Sequence, residues 1–309
     1  MKAIRVHQFG GPEVLKYEDA PRPVPAADEV LIKVYASGMN PVDWKMRAGL
    51  AESLFPIQLP FIPGWDVSGE IEEVGSDILI FKKGDEVYGR PDVTRDGTYA
   101  EYVAVKANQI NFKPKSINHD KASAVPLAGL TGWQGLFDYG HLEEGQKVLI
   151  HAAAGGVGSF AVQLAKWKGA YVIGTSSEEN IDFLFDLGAD EALDYKTVKF
   201  EDRLKDVDLV FDLIGGDTQQ RSLKIIKKGG RLITTVQPKY QEEAKANDIH
   251  MEVFMTQSLP EELEQLGNLI DSGKIKPIVT RTFPLKDAAE AQKEIEKGHT
   301  RGKMVLTVV

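Results

Sequence analysis

Lys147-Val148-Leu149-Ile150-His151-Ala152-Ala153-Ala154-Gly155-Gly156-Val157-Gly158 is the stretch that decides the fold. An apolar run at 147–152 reads as a strand and leads straight into a small-residue loop. Residues 157–167 then carry apolar side chains at Val157, Ala161, Leu164 and Ala165, which is helical spacing. The loop approximates G-x-G-x-x-G, with Ala153 in place of the first glycine. Such a turn must leave the strand tightly and offer bare backbone to a pyrophosphate. It must also let the helix pack close to the sheet. In this register Gly155 is the close-approach residue and Gly158 the packing residue. Ala154, Gly156 and Val157 complete the cradle. The pyrophosphate would sit at the positive end of the helix.

The pattern continues outward from the loop. Strand-like runs at 171–175, 191–195, 209–214 and 231–236 alternate with helical segments such as 180–187. Continuous apolar strands separated by helices predict a parallel sheet covered on both faces. A helix is predicted at 261–271 behind Pro260, and the tail reads strand 278–283, helix 288–296, strand 304–308. Upstream the texture differs. Short β-like runs at 29–35, 67–74, 85–88 and 99–105 are broken by turn signals such as Pro63-Gly64 and Asp96-Gly97, which predicts an all-β barrel or sandwich.

Bulk properties narrow the function. The chain has 309 residues, enough for two domains. Its net charge of −9 argues against a nucleic-acid partner, which needs clustered Lys and Arg. Cysteine is absent, so disulfides, thiolate metal sites and a cysteine nucleophile are excluded. The six histidines show no metal spacing. No apolar run is long enough to cross a membrane as a helix, and cytoplasmic residence is the expectation.

The end of the predicted second strand reads Gly174-Thr175-Ser176-Ser177, where NAD-binding folds usually carry an acid for the ribose 2′-hydroxyl. Hydroxyls at Ser176 and Ser177 suit a 2′-phosphate, which favours NADPH over NADH. Glu178 and Glu179 follow at once, and the serines serve equally as caps for a helix beginning there.

Six separated segments carry a family resemblance: 36–43 (ASGMNPVD), 62–69 (IPGWDVSG), 127–134 (LAGLTGWQ), 152–158, 212–216 (DLIGG) and 302–306 (GKMVL). In that order the chain resembles the zinc-independent quinone oxidoreductase branch of the medium-chain dehydrogenase/reductase superfamily. The resemblance implies an α/β protein with a GroES-like β-barrel domain at 1–122, completed by 275–309. A Rossmann domain, doubly wound around a parallel sheet, is implied at 123–274, with the coenzyme in the cleft between them. Zinc-dependent relatives carry a cysteine where this chain has Asn40, and Gly-His-Glu where it has Gly64-Trp65-Asp66. Losing a thiolate and an imidazole removes two of the three protein ligands of a catalytic zinc, so no zinc is expected.

The resemblance also assigns roles. Asn40 would donate its amide to a substrate oxygen that gains charge. Asp43 is expected to be structural. Lys45 would reach the substrate carbonyl or a phosphate, and Trp65, with Trp44, would line a flat pocket. Thr131 would lie near the nicotinamide and Tyr195 near the 2′-phosphate. Ile214, Gly215 and Val236 would face the coenzyme at the sheet edge, and Arg301 and Lys303 would meet a phosphate or ribose. Each also has a plainer use as cap, turn, core or surface residue.

The expected activity is hydride transfer from NADPH to a quinone or an α,β-unsaturated carbonyl, in a homodimer. The alternative is a nucleotide-binding sensor, or a structural or RNA-binding protein, with little catalysis. A zinc alcohol dehydrogenase is the least favoured.

Overall fold

The computed structural model describes residues 1–56 and 58–308. The chain forms two compact units. One comprises Met1–Leu130, Ser258–Gly273 and Pro277–Val309; the other comprises Thr131–Gln257 with Lys274–Lys276.

The first unit is β-rich. β1 (Lys2–Val6) and β2 (Leu15–Asp19) form an antiparallel hairpin. The main sheet uses β3 (Glu29–Gly38), β4 (Val67–Val74), β5 (Glu86–Gly89), β6 (Tyr102–Lys106) and β7 (Ile110–Phe112). β3 is its long spine. It pairs with β4 along one side; on the other, residues 29–33 pair with β6 and residues 36–38 with the chain's last strand. Val30, Ile32 and Val34 share one face and a core with Val67, Ile71, Val87, Val103 and Val105; Leu31 on the other face is buried as well.

The second unit holds β8 (Lys147–Ile150), β9 (Tyr171–Ser176), β10 (Glu191–Asp194), β11 (Val207–Asp212), β12 (Ile226–Thr234) and β13 (His250–Val253). All are parallel, in the spatial order β10-β9-β8-β11-β12-β13. Counted from β8 this is 3-2-1-4-5-6, the Rossmann arrangement. Val148, Leu149 and Ile150 are all fully buried, as a strand covered on both faces requires. β13 has no counterpart among the sequence-predicted strands.

β14 (Val279–Pro284) and β15 (Lys303–Thr307) return to the first sheet, where β15 pairs antiparallel with β3. The boundary drawn from sequence at 122/123 falls at 130/131. The helix Pro260–Asp271, assigned from sequence to the Rossmann domain, clusters with the β-rich unit instead. Polar ties explain this. Tyr88 Oη donates to the Leu263 carbonyl, Asn111 Nδ2 donates to the Pro260 carbonyl at 2.9 Å, and the Asp271 carboxylate accepts from the Ser116 N–H at 2.8 Å.

Candidate functional site

The glycine loop leaves β8 through Ala152, whose φ of 50° lies in the left-handed region. The tight turn is therefore made one residue before the Ala153 expected from the motif. Ala153 N–H donates to Thr175 O at 3.0 Å, tying the loop to β9. The helix Gly156–Trp167 starts with Gly155 as N-cap and no side chain capping it. Its first-turn N–H groups have no partner within the helix. Gly155, Gly156 and Val157 are half-buried, while Ala154 and Gly158 are buried. A Cβ on Gly158 would run into Ala152 O and lie 2.6 Å from Ala153 Cα, so this is the packing glycine. A Cβ on Gly155 would meet only Ala152 O, at 3.3 Å. Backbone donors, a helix N-terminus and missing side chains together fit a pyrophosphate.

The other nucleotide candidates of this unit lie past the carboxyl ends of neighbouring strands, the edge where open α/β sheets bind ligands. Tyr195, after β10, is 52% exposed, and its N–H donates to Ser176 O at 3.0 Å. Lys196 Nζ stands 5.9 Å from the Tyr195 ring centroid. After β11, Ile214 is 55% exposed. Both Ile214 N–H and Gly215 N–H donate to Asp212 Oδ1 at 3.0 Å, while Asp212 Oδ2 accepts from Thr234 Oγ1 at 2.9 Å and Gln219 Nε2 at 3.0 Å. Asp212 thus shapes this loop, a role that sequence reasoning missed although Asp212 stands inside a quoted motif. Gly215 has φ 81°, and a Cβ there would lie 2.7 Å from Val236 Cγ2. Thr131 is buried in the same unit, its Oγ1 2.7 Å from Thr256 Oγ1.

The serines at the end of β9 bond locally. Ser176 is buried and donates to the Ser177 carbonyl at 3.0 Å. Ser177 Oγ donates to Glu179 Oε1 at 2.9 Å. Both hydroxyls are thus engaged within this turn, the capping use that the sequence equally allowed. His151 is buried between Thr175 Oγ1 and Ser222 Oγ, each at 3.0 Å, and burial pushes it down to about 4, so it is a neutral packed residue.

In the β-rich unit, residues from five distant segments converge. Asn40 Nδ2 donates to Asp66 Oδ2 at 2.8 Å and more weakly to Gly38 O at 3.4 Å. Lys303 Nζ donates to Met39 O at 2.7 Å, to Asn40 Oδ1 and to Asp66 Oδ2 at 3.5 Å. Asp66 Oδ1 accepts from Leu127 N–H at 2.8 Å. Asp43 Oδ2 accepts from Asn40 N–H at 2.7 Å and from Tyr99 Oη at 2.8 Å. All five side chains are buried. Burial pushes Asp66 up and Lys303 down, and their mutual attraction pulls each back. Burial also pushes Asp43 up to about 7 and Tyr99 well above its ordinary value.

This geometry corrects three expectations. Lys303 is not a phosphate ligand: at 3% exposure its three protons are all donated inside the cluster. Asn40 has its amide engaged by Asp66 and its oxygen by Lys303, which leaves no donor for a substrate. Trp65 is 0% exposed in the core with Ile4, Met39 and Phe61, so it lines no pocket. Lys45 is exposed on the helix Pro41–Arg47, 5.8 Å from the half-buried Trp44 ring. Arg301 is exposed just before β15, in the β-rich unit. The donor set does not suit zinc. An indole and an amide replace imidazole and thiolate, and an ammonium already sits on Asp66.

A serine–histidine–carboxylate row also exists. Ser68 Oγ lies 2.8 Å from His119 Nδ1, and His119 Nε2 lies 3.1 Å from Glu86 Oε1. Ser68 is fully buried and donates to Val87 O at 3.1 Å, so it is a strand tie and no nucleophile.

Residues 26–115 match the model of the alcohol dehydrogenase GroES-like domain, and residues 187–306 that of a zinc-binding dehydrogenase. The quinone oxidoreductase of Mus musculus is 36% identical, covering 99% of this chain and 97% of that protein. The structure of the quinone oxidoreductase from Coxiella burnetii matches with a TM-score of 0.94 at 38% identity, covering 100% of this chain and 99% of that one. Escherichia coli quinone oxidoreductase complexed with NADPH matches at 0.90 and 30% identity, with both chains covered completely. Fold and site together define a two-domain oxidoreductase with a GroES-like domain and a Rossmann domain. The chain belongs to the zinc-independent quinone oxidoreductase branch of the medium-chain dehydrogenase/reductase superfamily.

Proposed function

We propose that the chain is an NADPH-dependent reductase that acts on a quinone or an α,β-unsaturated carbonyl compound without a metal. The observation that carries this is the loop 152–158, whose bare backbone and uncapped helix start lie at the carboxyl edge of a Rossmann sheet. A bound nicotinamide nucleotide supplies the hydride. Gly155 to Gly158 hold its pyrophosphate, and Gly215 and Val236 face its ribose across the Asp212-braced loop. NADPH is favoured over NADH because no carboxylate ends β9 and because the exposed side chains of Tyr195 and Lys196, just past β10, would meet a 2′-phosphate. The Escherichia coli relative was solved with NADPH. No helix among the described residues is long and apolar enough to cross a membrane. We place the protein in the cytoplasm as a homodimer, with the uncovered side of β13 as the contact: Val253 there is 42% exposed.

The test is nucleotide oxidation with a panel of quinones and enones, run with NADPH and with NADH, before and after a chelator. Faster turnover with NADPH, untouched by the chelator, is expected. Tight NADPH binding with no turnover of any acceptor favours the sensor alternative, and zinc-restored activity refutes the metal-free chemistry.

A further inference from the structure

Within the Rossmann unit the ends of β9 and β10 lie side by side. Asp194 is in register with Ser176, and Tyr195 N–H donates to Ser176 O at 3.0 Å. In a Rossmann fold the adenosine 2′ group of the coenzyme falls at the end of the second strand, which here is β9. On the β10 side of that point the Lys196 ammonium stands 5.9 Å from the Tyr195 ring centroid, and among the described residues it makes no ion pair. Asp194 is buried, and its two oxygens accept from Lys196 N–H at 3.1 Å and Thr197 Oγ1 at 2.8 Å, inside its own turn.

On the β9 side Ser177 leads into one turn of 3₁₀ helix, Glu178–Asn180. Asn180 Nδ2 donates to Ser177 Oγ at 3.0 Å, and Asn180 N–H to Ser177 O at 2.9 Å. With a donor already on its oxygen, the Ser177 hydroxyl directs its own proton to Glu179 Oε1, at 2.9 Å. The relay bends an exposed glutamate back over the first residue past the strand. Glu178 is exposed too, but among the described residues nothing holds its carboxylate. A free carboxylate turns away from an approaching anion; a held one must first give up its charge-assisted hydrogen bond.

We propose that Glu179 is the residue that limits the preference for NADPH. The assignment rests on the NADPH reading proposed above and concerns its strictness. Glu179 opposes a 2′-phosphate in two ways. It sets a negative charge beside a group that is itself a dianion for most of its population at neutral pH. It also engages the Ser177 hydroxyl, a donor that a phosphate oxygen would otherwise receive. The 2′-hydroxyl of NADH is uncharged and donates to a carboxylate at this strand end without either conflict. Lys196 attracts the phosphate while Glu179 repels it, so the site takes both coenzymes, with a narrow margin for NADPH.

The test measures Kd for NADPH and for NADH on the full-length protein by nicotinamide fluorescence, at low and at high salt. Both glutamates are exposed, so substitutions there leave the core untouched. Glu179→Gln removes the charge and keeps an acceptor for Ser177. NADPH should then bind about fivefold more tightly, with no gain for NADH, and the difference should shrink in high salt. Glu179→Ala also releases the Ser177 hydroxyl, so a larger gain is expected, and adding Ser177→Ala to it should cancel the extra part. Glu178→Gln should give a smaller gain than Glu179→Gln. Unchanged NADPH affinity in Glu179→Gln overturns the assignment. So does an equal gain for NADH, the mark of a general field acting on the pyrophosphate that both coenzymes share, or a gain from Glu178→Gln as large as that from Glu179→Gln. If the wild-type protein binds neither coenzyme, the NADPH reading itself fails. Binding by the wild type with indifferent Glu179 variants condemns the glutamate alone.

Discussion

The glycine loop of the Rossmann unit and the Asn40–Asp66–Lys303 knot of the β-rich unit are opposite ways of treating polar groups. In the knot, five buried side chains satisfy one another almost completely, and Asp43 Oδ1 is the one atom of the group left without a partner. In the loop, Ala153 and Gly155 N–H are tied to Thr175 O and Ala152 O, but the N–H groups of the helix's first turn have no partner within the helix and side chains are cleared from their path. The first arrangement consumes its own chemistry and fixes a structure; the second leaves chemistry for a ligand. Residue type does not separate them, since a lysine and an asparagine look more functional than an alanine and three glycines.

The contrast is broken most forcefully by removing the knot's cation. Lys303→Met leaves Asp66 buried and unpaired, and a loss of about 3–5 kcal/mol in unfolding free energy is expected, read by urea denaturation, with coenzyme affinity unchanged in the folded fraction. A stable variant that binds the nucleotide weakly would return Lys303 to the phosphate.

Asp43 tests the same knot by pH. Its folded-state value of about 7 lies above the 3.8 of a free carboxyl. The folded protein therefore retains a proton that the unfolded chain gives up across that window. The stability this contributes is complete below the lower value and is lost as pH rises through the upper one, at up to about 1.4 kcal/mol per pH unit. Urea unfolding at pH 5 and pH 8 should show wild type losing stability relative to Asp43→Asn. Parallel profiles for the two proteins would mean that Asp43 stays ionised.

Gly158→Ala sharpens the other side. Its Cβ meets backbone atoms, which cannot swing away, so about 1–3 kcal/mol of stability should be lost, together with nucleotide affinity as the helix start is pushed off the strand. Unaltered melting and binding would show that the helix can slide at no cost.

The parts of the fold legible in the sequence are those that local periodicity controls. The unbroken apolar run at 147–150 and the helical spacing from Val157 announced β8 and its helix, and the small residues between them announced the loop. Long-range pairing was not legible. Lys303 and Asn40 are 263 residues apart, and nothing in the spacing of either reports the other. The available signal was that Asn40, Asp66 and Lys303 each sat inside a motif of the family, polar residues among apolar neighbours. Trp65 was misjudged because a large aromatic suits a core as well as a pocket, and only burial tells the two apart. The local acceptors of Ser176 and Ser177, a neighbouring carbonyl and Glu179, were not legible because they are set by the geometry of the turn. The helix Pro260–Asp271 kept its predicted bounds to within a residue but went to the other unit, since amphipathic spacing tells how a helix is buried and not what buries it.

The pairing of β15 with β3 sets a timetable for synthesis. Residues 36–38 leave the ribosome some 270 residues before their partners at 305–307. The Rossmann strands, spanning 147–253, are complete well before then. The usual order, in which the amino-terminal domain finishes first, is inverted: the nascent chain carries an unfinished sheet with an open edge at 36–38 until residues 305–307 emerge. That edge is where premature pairing with another chain would begin.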